Sequence, residues 1–494
     1  MKIIKLLIQF FFISVILASC GNNGGGGGGG NNVSSVCDDN NVDEGVFAAT
    51  PAVCDYYVDD ATGDDNDDGT TELLAWKTLD RAVGWNSSSG VDGKTVCVKN
   101  GTYAGVDIRR TGTDAANYLT IRAMAAHSPV VSAKSDTPYC FDGDTASGSI
   151  SYVIIDGFDC TEDLADGQAN DGAGIAFYEL DSTNIIIRNN IIHDIGIEAP
   201  TEPNPGIIFA GAGTHRNILI ENNTFDDNDG EGLYLGTATA SKLGYLAYNI
   251  VVKNNTFTNN NDTVPAACGG LARCGEEAID IKPTVCSALI KNNTIDNFGQ
   301  TGSAIRLDGR FVELAYNTII DSGHADNEDG SFAISFSSAL NDVDYYDGHY
   351  IHHNVFVRVK VSTPDPWADS FILMPGCNDC SNITTPFIIS HNTFIDAEKF
   401  GIFLNEETGA HEIKDNVFVG SADKHIKKHQ ATSTIIDNNA FETPNTYDVN
   451  DASELLGTNT GNFLVNVNDG TLGGGSTLKN AASDGTHIGA NQLP

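Results

Sequence analysis

One phrase recurs along the chain: an apolar strand, an asparagine, one or two further apolar residues, then a polar turn. It stands as Ile185-Ile186-Ile187-Arg188-Asn189-Asn190-Ile191-Ile192, again from Ile218 to Phe225 and again from Ile250 to Phe257. It continues around Asn293, Asn317, Asn354, Asn392, Asn416 and Asn439. The closest repeats lie 23 or 24 residues apart (Asn416 to Asn439, Asn293 to Asn317), which suits one coil of a β-solenoid. Intervals of 32 to 38 residues imply loops inserted into single coils. Apolar alternation on both sides of the asparagine predicts strands with one face in a shared core. Asparagine tolerates the left-handed backbone of a sharp turn, and its amide can donate to and accept from the asparagine one coil on. A β-sandwich would also have many short strands, but it does not call for one asparagine at one phase in nine phrases. The pattern predicts an all-β chain, a single-stranded right-handed parallel β-helix.

Such a coil stack needs caps at its ends, where strand edges would otherwise be open. Trp76, Leu79 and Val83 fall at helical spacing and predict a short N-terminal capping helix. Tyr56 to Val58 and the stretch Gly93 to Tyr103 resemble the entry segment of many right-handed β-helix proteins, and His487 to Ala490 resembles their final coil. The acidic loop Asp64-x-Asn66-x-Asp68-Gly69 imitates half a calcium hand, but Ala75 stands where its last ligand would be; it reads as a turn.

Several coils carry a second strand with a period of two. Leu233/Leu235, Ile279/Ile281, Ile305/Leu307 and Ile334/Phe336 are expected inward. In register, Tyr234, Asp280, Arg306 and Ser335 then form one outward row, and Gly236, Lys282, Asp308 and Ser337 another. With neighbouring strands about 4.8 Å apart, Asp280 is expected to meet Arg306, and Lys282 to meet Asp308. Glu276 and Glu277 enter the same strand, with Glu231 one coil below. An ion-pair quartet stabilising an exposed sheet is the plain alternative.

The N-terminus adds a destination. Lys2 and Lys5 flank an apolar run from Leu6 to Leu17 that is too short for a membrane span and fits a secretory signal. It ends in Leu17-Ala18-Ser19-Cys20-Gly21, which resembles the lipobox of bacterial lipoproteins. The organisation expected is a lipoprotein signal peptide over 1–19, lipidated Cys20 and a Gly/Asn-rich linker over 20–50, and the β-helix over 51–494. The resemblance implies a lipid-anchored, extracytoplasmic protein at the outer membrane or cell surface, touching the membrane only through its anchor; a monomer is expected. Labelled palmitate should enter the wild type and not Cys20→Ala; equal labelling of the two would overturn the anchor.

The formal charge is −39, from 66 acidic and 27 basic residues, which excludes nucleic acid as a direct partner. Eleven cysteines, ten besides Cys20, suit an oxidising compartment; Cys37/Cys54, Cys268/Cys274 and Cys377/Cys380 are plausible local pairs. Against so acidic a background, Lys282, Arg306 and Arg310 stand out as the central basic cluster. They suit β-elimination on an acidic, uronic-acid polysaccharide, in which the sugar carboxylate is neutralised, a base takes the neighbouring C5 proton and the glycosidic oxygen leaves. Lys282 is the candidate base, expected to be pulled down by Arg306 and up by Asp308. Glu231, Glu276, Glu277 and Asp280 are candidate calcium ligands, and Tyr234, Asp308 and Arg310 candidate substrate contacts.

Glu276-Glu277-Ala278-Ile279-Asp280-Ile281-Lys282, with Arg306 one coil later, resembles the polysaccharide lyases typified by chondroitinase B and some alginate lyases. The resemblance implies a calcium-binding acidic pair, Lys282 as base and Arg306 as its assistant. The chain has Lys282-Pro283 and Arg306-Leu307-Asp308-Gly309 where that family usually shows Lys-Ser and Arg-His-Gly, and its two acids are adjacent rather than one residue apart. It lacks the Asn-Thr-Asp and Gly-His-Gly elements of polygalacturonases and the Asp-Pro-His of mannuronan epimerases. A non-catalytic carbohydrate-binding or adhesive surface protein is the rival reading. Its recognition loops would be 259–275 and 361–385, with Trp367 a candidate sugar-stacking residue.

Overall fold

The computed structural model describes residues 42–441 outside 134–137, 144–147, 163–171, 197–203, 229, 238–245, 259–276, 299–302, 323–331, 337–347, 360–369, 377–384, 398, 407–410, 421–423 and 429–433; beyond 441 it describes 455–456, 482, 484 and 488–489. Cys20, Cys37, Cys268, Cys274, Glu276, Ser337, Trp367, Cys377 and Cys380 lie outside the described residues.

The chain winds through three parallel sheets in turn. The first, of 13 strands, runs from Tyr56–Val58 to Ile435–Asp437; the second, of 13, from Thr102–Ala104 to Leu455–Leu456; the third, of 11, from Val106–Ile108 to Lys424–Lys428. Strands in each sheet follow one another coil by coil, as the repeat predicts for a right-handed parallel β-helix. Inward aromatic rings stack along the axis: Phe225 on Phe257 at 4.6 Å, and Phe356, Phe394 and Phe418 in succession at 4.9 and 4.7 Å. Such offset stacks satisfy both ring area and ring quadrupole.

The asparagine ladder is continuous. From Asn190 to Asn439 run nine side chains at most 1 % exposed, and each of the first eight donates through Nδ2 to the Oδ1 of the next, at 2.9–3.1 Å. Each Oδ1 also accepts the main-chain N–H of the asparagine below, and at the lower end Phe158 N–H donates to Asn190. The left-handed turn residue, however, is the one before the ladder. Asn189, Asn222, Asn254 and Asn292 take positive φ, and Tyr316, His353, His391 and Asp415 do so where the preceding residue is no asparagine. The ladder residue is therefore selected for its amide, and its predecessor for backbone tolerance.

The expected capping helix forms over Leu79–Val83 and buries Leu79, Ala82 and Val83, with Thr78 Oγ1 accepting Arg81 N–H at its start. Trp76 lies outside it, bridged in parallel to Val58 and stacked on Tyr56 at 4.8 Å. The acidic loop folds as a turn around Trp76. Asp64 and Asp68 accept amides two residues on, Asp65 accepts those of Lys77 and Thr78, and Gly69 at φ 73° passes where a Cβ would strike the indole.

Other expectations change. Cys54 pairs with Cys97 on the next coil, their Cα atoms 5.6 Å apart, and not with Cys37. Cys140 pairs with Cys160, and Cys286 is disulfide-bonded. The insertion 361–385 contains a regular third-sheet strand, Ser370–Gly376, with Phe371 and Ile372 in the core. Ile488 does not sit in a final coil; it packs on Val417 and Ala440, outside the main core.

Residues 42–50, within the segment read as linker, lie as a strap on the outer face of the first sheet. Val42, Phe47 and Ala48 cover Ile154, Ile186, Leu219 and Val251, which explains why those strands are apolar on both faces. Glu44 pairs with Lys253 at 3.1 Å and with Lys291, and Asp43 N–H donates to Asn249 Oδ1. Further down, Arg188 donates to the Ala48 carbonyl and Arg122 to that of Pro51.

Two buried histidines make stability depend on pH. Burial pushes His215 and His425 down to about 4, so each is neutral in the fold and protonated at pH 5 once unfolded. The unfolded state then binds more protons, and stability present above about 6.5 is lost as pH falls towards 4. By pH 5 each ring should cost about 2 kcal/mol. His193, raised to about 9 by Asp159 with burial opposing and Asp194 adding, works in the opposite sense and offsets part of the loss. The urea midpoint should fall between pH 7 and 5, and His425→Phe should flatten that fall. A midpoint independent of pH would contradict the assignment.

Candidate active site on the third sheet

The outward rows form in the expected register. Tyr234 pairs with Asp280, Asp280 with Arg306 and Arg306 with Ser335, while Leu233, Leu235, Ile279, Ile281, Ile305, Leu307 and Ile334 are buried in the core. Lys282 N–H donates to the Leu235 carbonyl and Asp308 N–H to that of Ile281, which carries the ladder one residue further and sets the second row. Gly232 N–H donates to the Glu277 carbonyl, aligning Glu231 with Glu277 at the entry to their strands.

Two features differ from expectation. The row is not exposed: Glu231, Glu277, Asp280 and Asp308 are 7 % accessible or less. The closest charge contacts run along each strand. The Lys282 ammonium touches Asp280 two residues back, and Arg306 Nε donates to Asp308 two residues on, at 2.9 Å. Arg306 also reaches Glu277 at 3.9 Å, and the Lys282 ammonium lies 4.5 Å over the Tyr234 ring. Long side chains choose between a neighbour along the strand and one across it, and register alone does not decide which. Arg310, two residues past Asp308, sets its guanidinium over Phe311.

The electrostatics follow from burial. Desolvation alone would pull Lys282 down, but Asp280, Tyr234 and Glu231 outweigh it and hold its ammonium above the usual lysine range. Arg306 is raised in the same way, against burial, by Asp308, Asp280 and Glu277. Burial pushes the Tyr234 hydroxyl up. The expected depression of Lys282 by Arg306 is therefore overridden by nearer carboxylates.

Three of the carboxylates converge. One oxygen each from Glu231, Glu277 and Asp280 lies within 4.8 Å of the others. Asp280 is buried, with its carboxylate in direct contact with the Lys282 ammonium. Four carboxylates (these three and Asp308) face two cations, an excess of two negative charges. Hard oxygen donors and a deficit of two positive charges fit a divalent cation such as calcium.

The architecture has relatives of known structure. The family described as right handed beta helix region matches residues 147–271. XylC in complex with xylose is 11 % identical, with 81 % of this chain and 85 % of that one covered and a TM-score of 0.54. The polysaccharide lyase Pedsa3628 from Pseudopedobacter saltans, of the PL6 family, is 14 % identical over 83 % and 97 %, at a TM-score of 0.48. Pectate lyase Pel9A is 14 % identical over 89 % and 96 %, at 0.38. No curated protein sequence matches the chain. The class defined by fold is thus a right-handed parallel β-helix. Among the described residues no helix is long and apolar enough to cross a membrane.

Proposed function

We propose that the chain is a polysaccharide lyase that cleaves a uronic-acid polysaccharide by calcium-assisted β-elimination. The observation that carries this reading is the buried cluster itself, three converging carboxylates beside Lys282 and Arg306. Arg306 is placed to neutralise the sugar carboxylate, and with it to acidify the C5 proton. Lys282 is placed to take that proton, and Tyr234, against the ammonium, to contact the sugar. Asp308 holds the Arg306 guanidinium in orientation. A calcium ion on Glu231, Glu277 and Asp280 would share the sugar's charge and draw Asp280 away from Lys282, favouring loss of the lysine's proton.

A second reading has its own support. Both cations are held in their charged forms, which suits binding of a polyanion without chemistry. The assay that separates the two is absorbance near 235 nm, from the unsaturated product, on adding alginate, pectate or chondroitin with calcium. Growth of absorbance that a chelator stops supports the lyase. No growth on any of these polymers, with retention of the protein in gels containing them, would leave the binding protein.

A further inference from the structure

The left-handed corner that follows each first-sheet strand holds Asn189, Asn222, Asn254 and Asn292 in four coils, then a ring in the next three, Tyr316, His353 and His391. Asparagine is the ordinary choice for that backbone, so three rings in succession point to a use for the side chains. They stack. His353 lies between Tyr316 and His391, with ring centroids 4.9 Å away on either side and interplanar angles of 22° and 7°.

His352, the last residue of the strand Tyr350–His352, stands across this stack. Its ring is turned 84° to that of His353, and the two Nδ1 atoms are 2.8 Å apart. Tyr350 stacks on His352 at 3.9 Å, and His352 Nε2 meets Glu313 Oε1 at 3.1 Å. An ionised carboxylate only accepts, so that nitrogen carries the proton and the Nδ1 of a neutral His352 carries the lone pair. Burial, with His352 and His391 alongside, pushes His353 down to about 4, so its ring is neutral at pH 7. Both imidazoles are thus clamped, with their Nδ1 atoms face to face.

We propose that His352 and His353 form a site for a divalent late transition metal, copper(II) above all. At a metal–nitrogen distance of about 2.0 Å, nitrogens 2.8 Å apart subtend about 90° at the ion, whereas a tetrahedral site would hold them about 3.3 Å apart. A right angle suits the square plane of copper(II) or nickel(II) rather than zinc, and copper(II) binds the more tightly of the two. The ion takes the place of the proton that otherwise lies between the two Nδ1 atoms. Glu313 holds the His352 ring from behind, as carboxylates do for metal-bound histidines. His352 is buried, but His353 is partly exposed and gives the ion its way in from the corner. Water completes the square. Calcium, a hard cation, prefers oxygen, which sets this pair apart from the carboxylates of the third sheet.

The test titrates the full chain, in excess calcium, with copper(II) chloride. The wild type should show a tight site whose electron paramagnetic resonance spectrum carries coupling to two imidazole nitrogens. His353→Asn places at this corner the residue that earlier coils use there. It should weaken the site on the order of 100-fold, while Glu313→Ala, which leaves both ligands, should weaken it about tenfold, as loss of an outer partner does. Copper(II) should raise the melting temperature of the wild type and leave that of His353→Asn unmoved. Equal copper affinity in His353→Asn and wild type, or a spectrum with oxygen ligands alone, overturns the site. If His353→Asn melts lower without copper, Glu313→Ala decides in its place, and there an unchanged affinity overturns the site.

Discussion

Lys282→Ala is expected to abolish the absorbance near 235 nm, lowering kcat by about 10²- to 10⁴-fold, the usual contribution of a positioned general base. The informative companion is Lys282→Arg. Arginine keeps the positive charge beside Asp280 and over Tyr234, but its guanidinium does not give up a proton at accessible pH. If Lys282 is the base, the arginine variant is as inactive as the alanine one. If Lys282 only balances charge, arginine retains much of the activity, and the base must be sought elsewhere. Both variants should bind polymer, because Arg306 remains. Lys282→Ala also removes the cation touching Asp280, so its fold must be verified by its melting curve before its rate is interpreted.

Asn317→Leu should be the most damaging single substitution for stability, at about 3–5 kcal/mol. The side chains are close in size, so the cost is one of hydrogen bonds. Asn317 Oδ1 accepts both the main-chain and the side-chain N–H of Asn293. Its Nδ2 donates to the Ile290 carbonyl and to Asn354 Oδ1. Leucine leaves two donors of Asn293 orphaned in the core, at about 1–3 kcal/mol each, and deprives the Ile290, Ala315 and Asn354 acceptors as well. The urea midpoint measures the loss. Because a solenoid is stabilised by nearest-neighbour contacts, hydrogen exchange should rise first in the coils of Asn293 and Asn354. A cost below about 1 kcal/mol would mean that water enters the turn and relieves the ladder.

The ladder was legible because it repeats. One asparagine at one phase, with apolar alternation on either side, fixes coil, register and inward face together, and from these the rows Tyr234–Asp280–Arg306 and Lys282–Asp308 follow. The left-handed position was assigned one residue late, since in Asn222-Asn223 and its kin either asparagine suits the turn; Tyr316 and His353 reveal which one bends. Burial of the charged row and the pairing of Lys282 with Asp280 were not legible, for they depend on side-chain conformation. The strap was hidden for a different reason. Val42 and Phe47 are two apolar residues after a Gly/Asn tract, and they acquire meaning only when the outward Ile186, Leu219 and Val251 are seen to need a cover. Cys54 likewise found its partner on the next coil, which no count of cysteines supplies.

The direction of the strap has a mechanical consequence. Its upstream end lies at Lys253 and Lys291, well along the solenoid, and it runs back towards the first coils, where Cys54 is bonded to Cys97. A pull arriving through the residues before Val42 and directed away from the flank loads these contacts in series. The Glu44 ion pairs open first, then the Phe47 and Ala48 contacts, then the Arg122 bond to Pro51. Each rupture would free a few more residues of the strap before the next contact is loaded. The covalent bond at Cys54 is the final stop, so the strap works as a graded fuse that spends itself before any coil of the solenoid is drawn out.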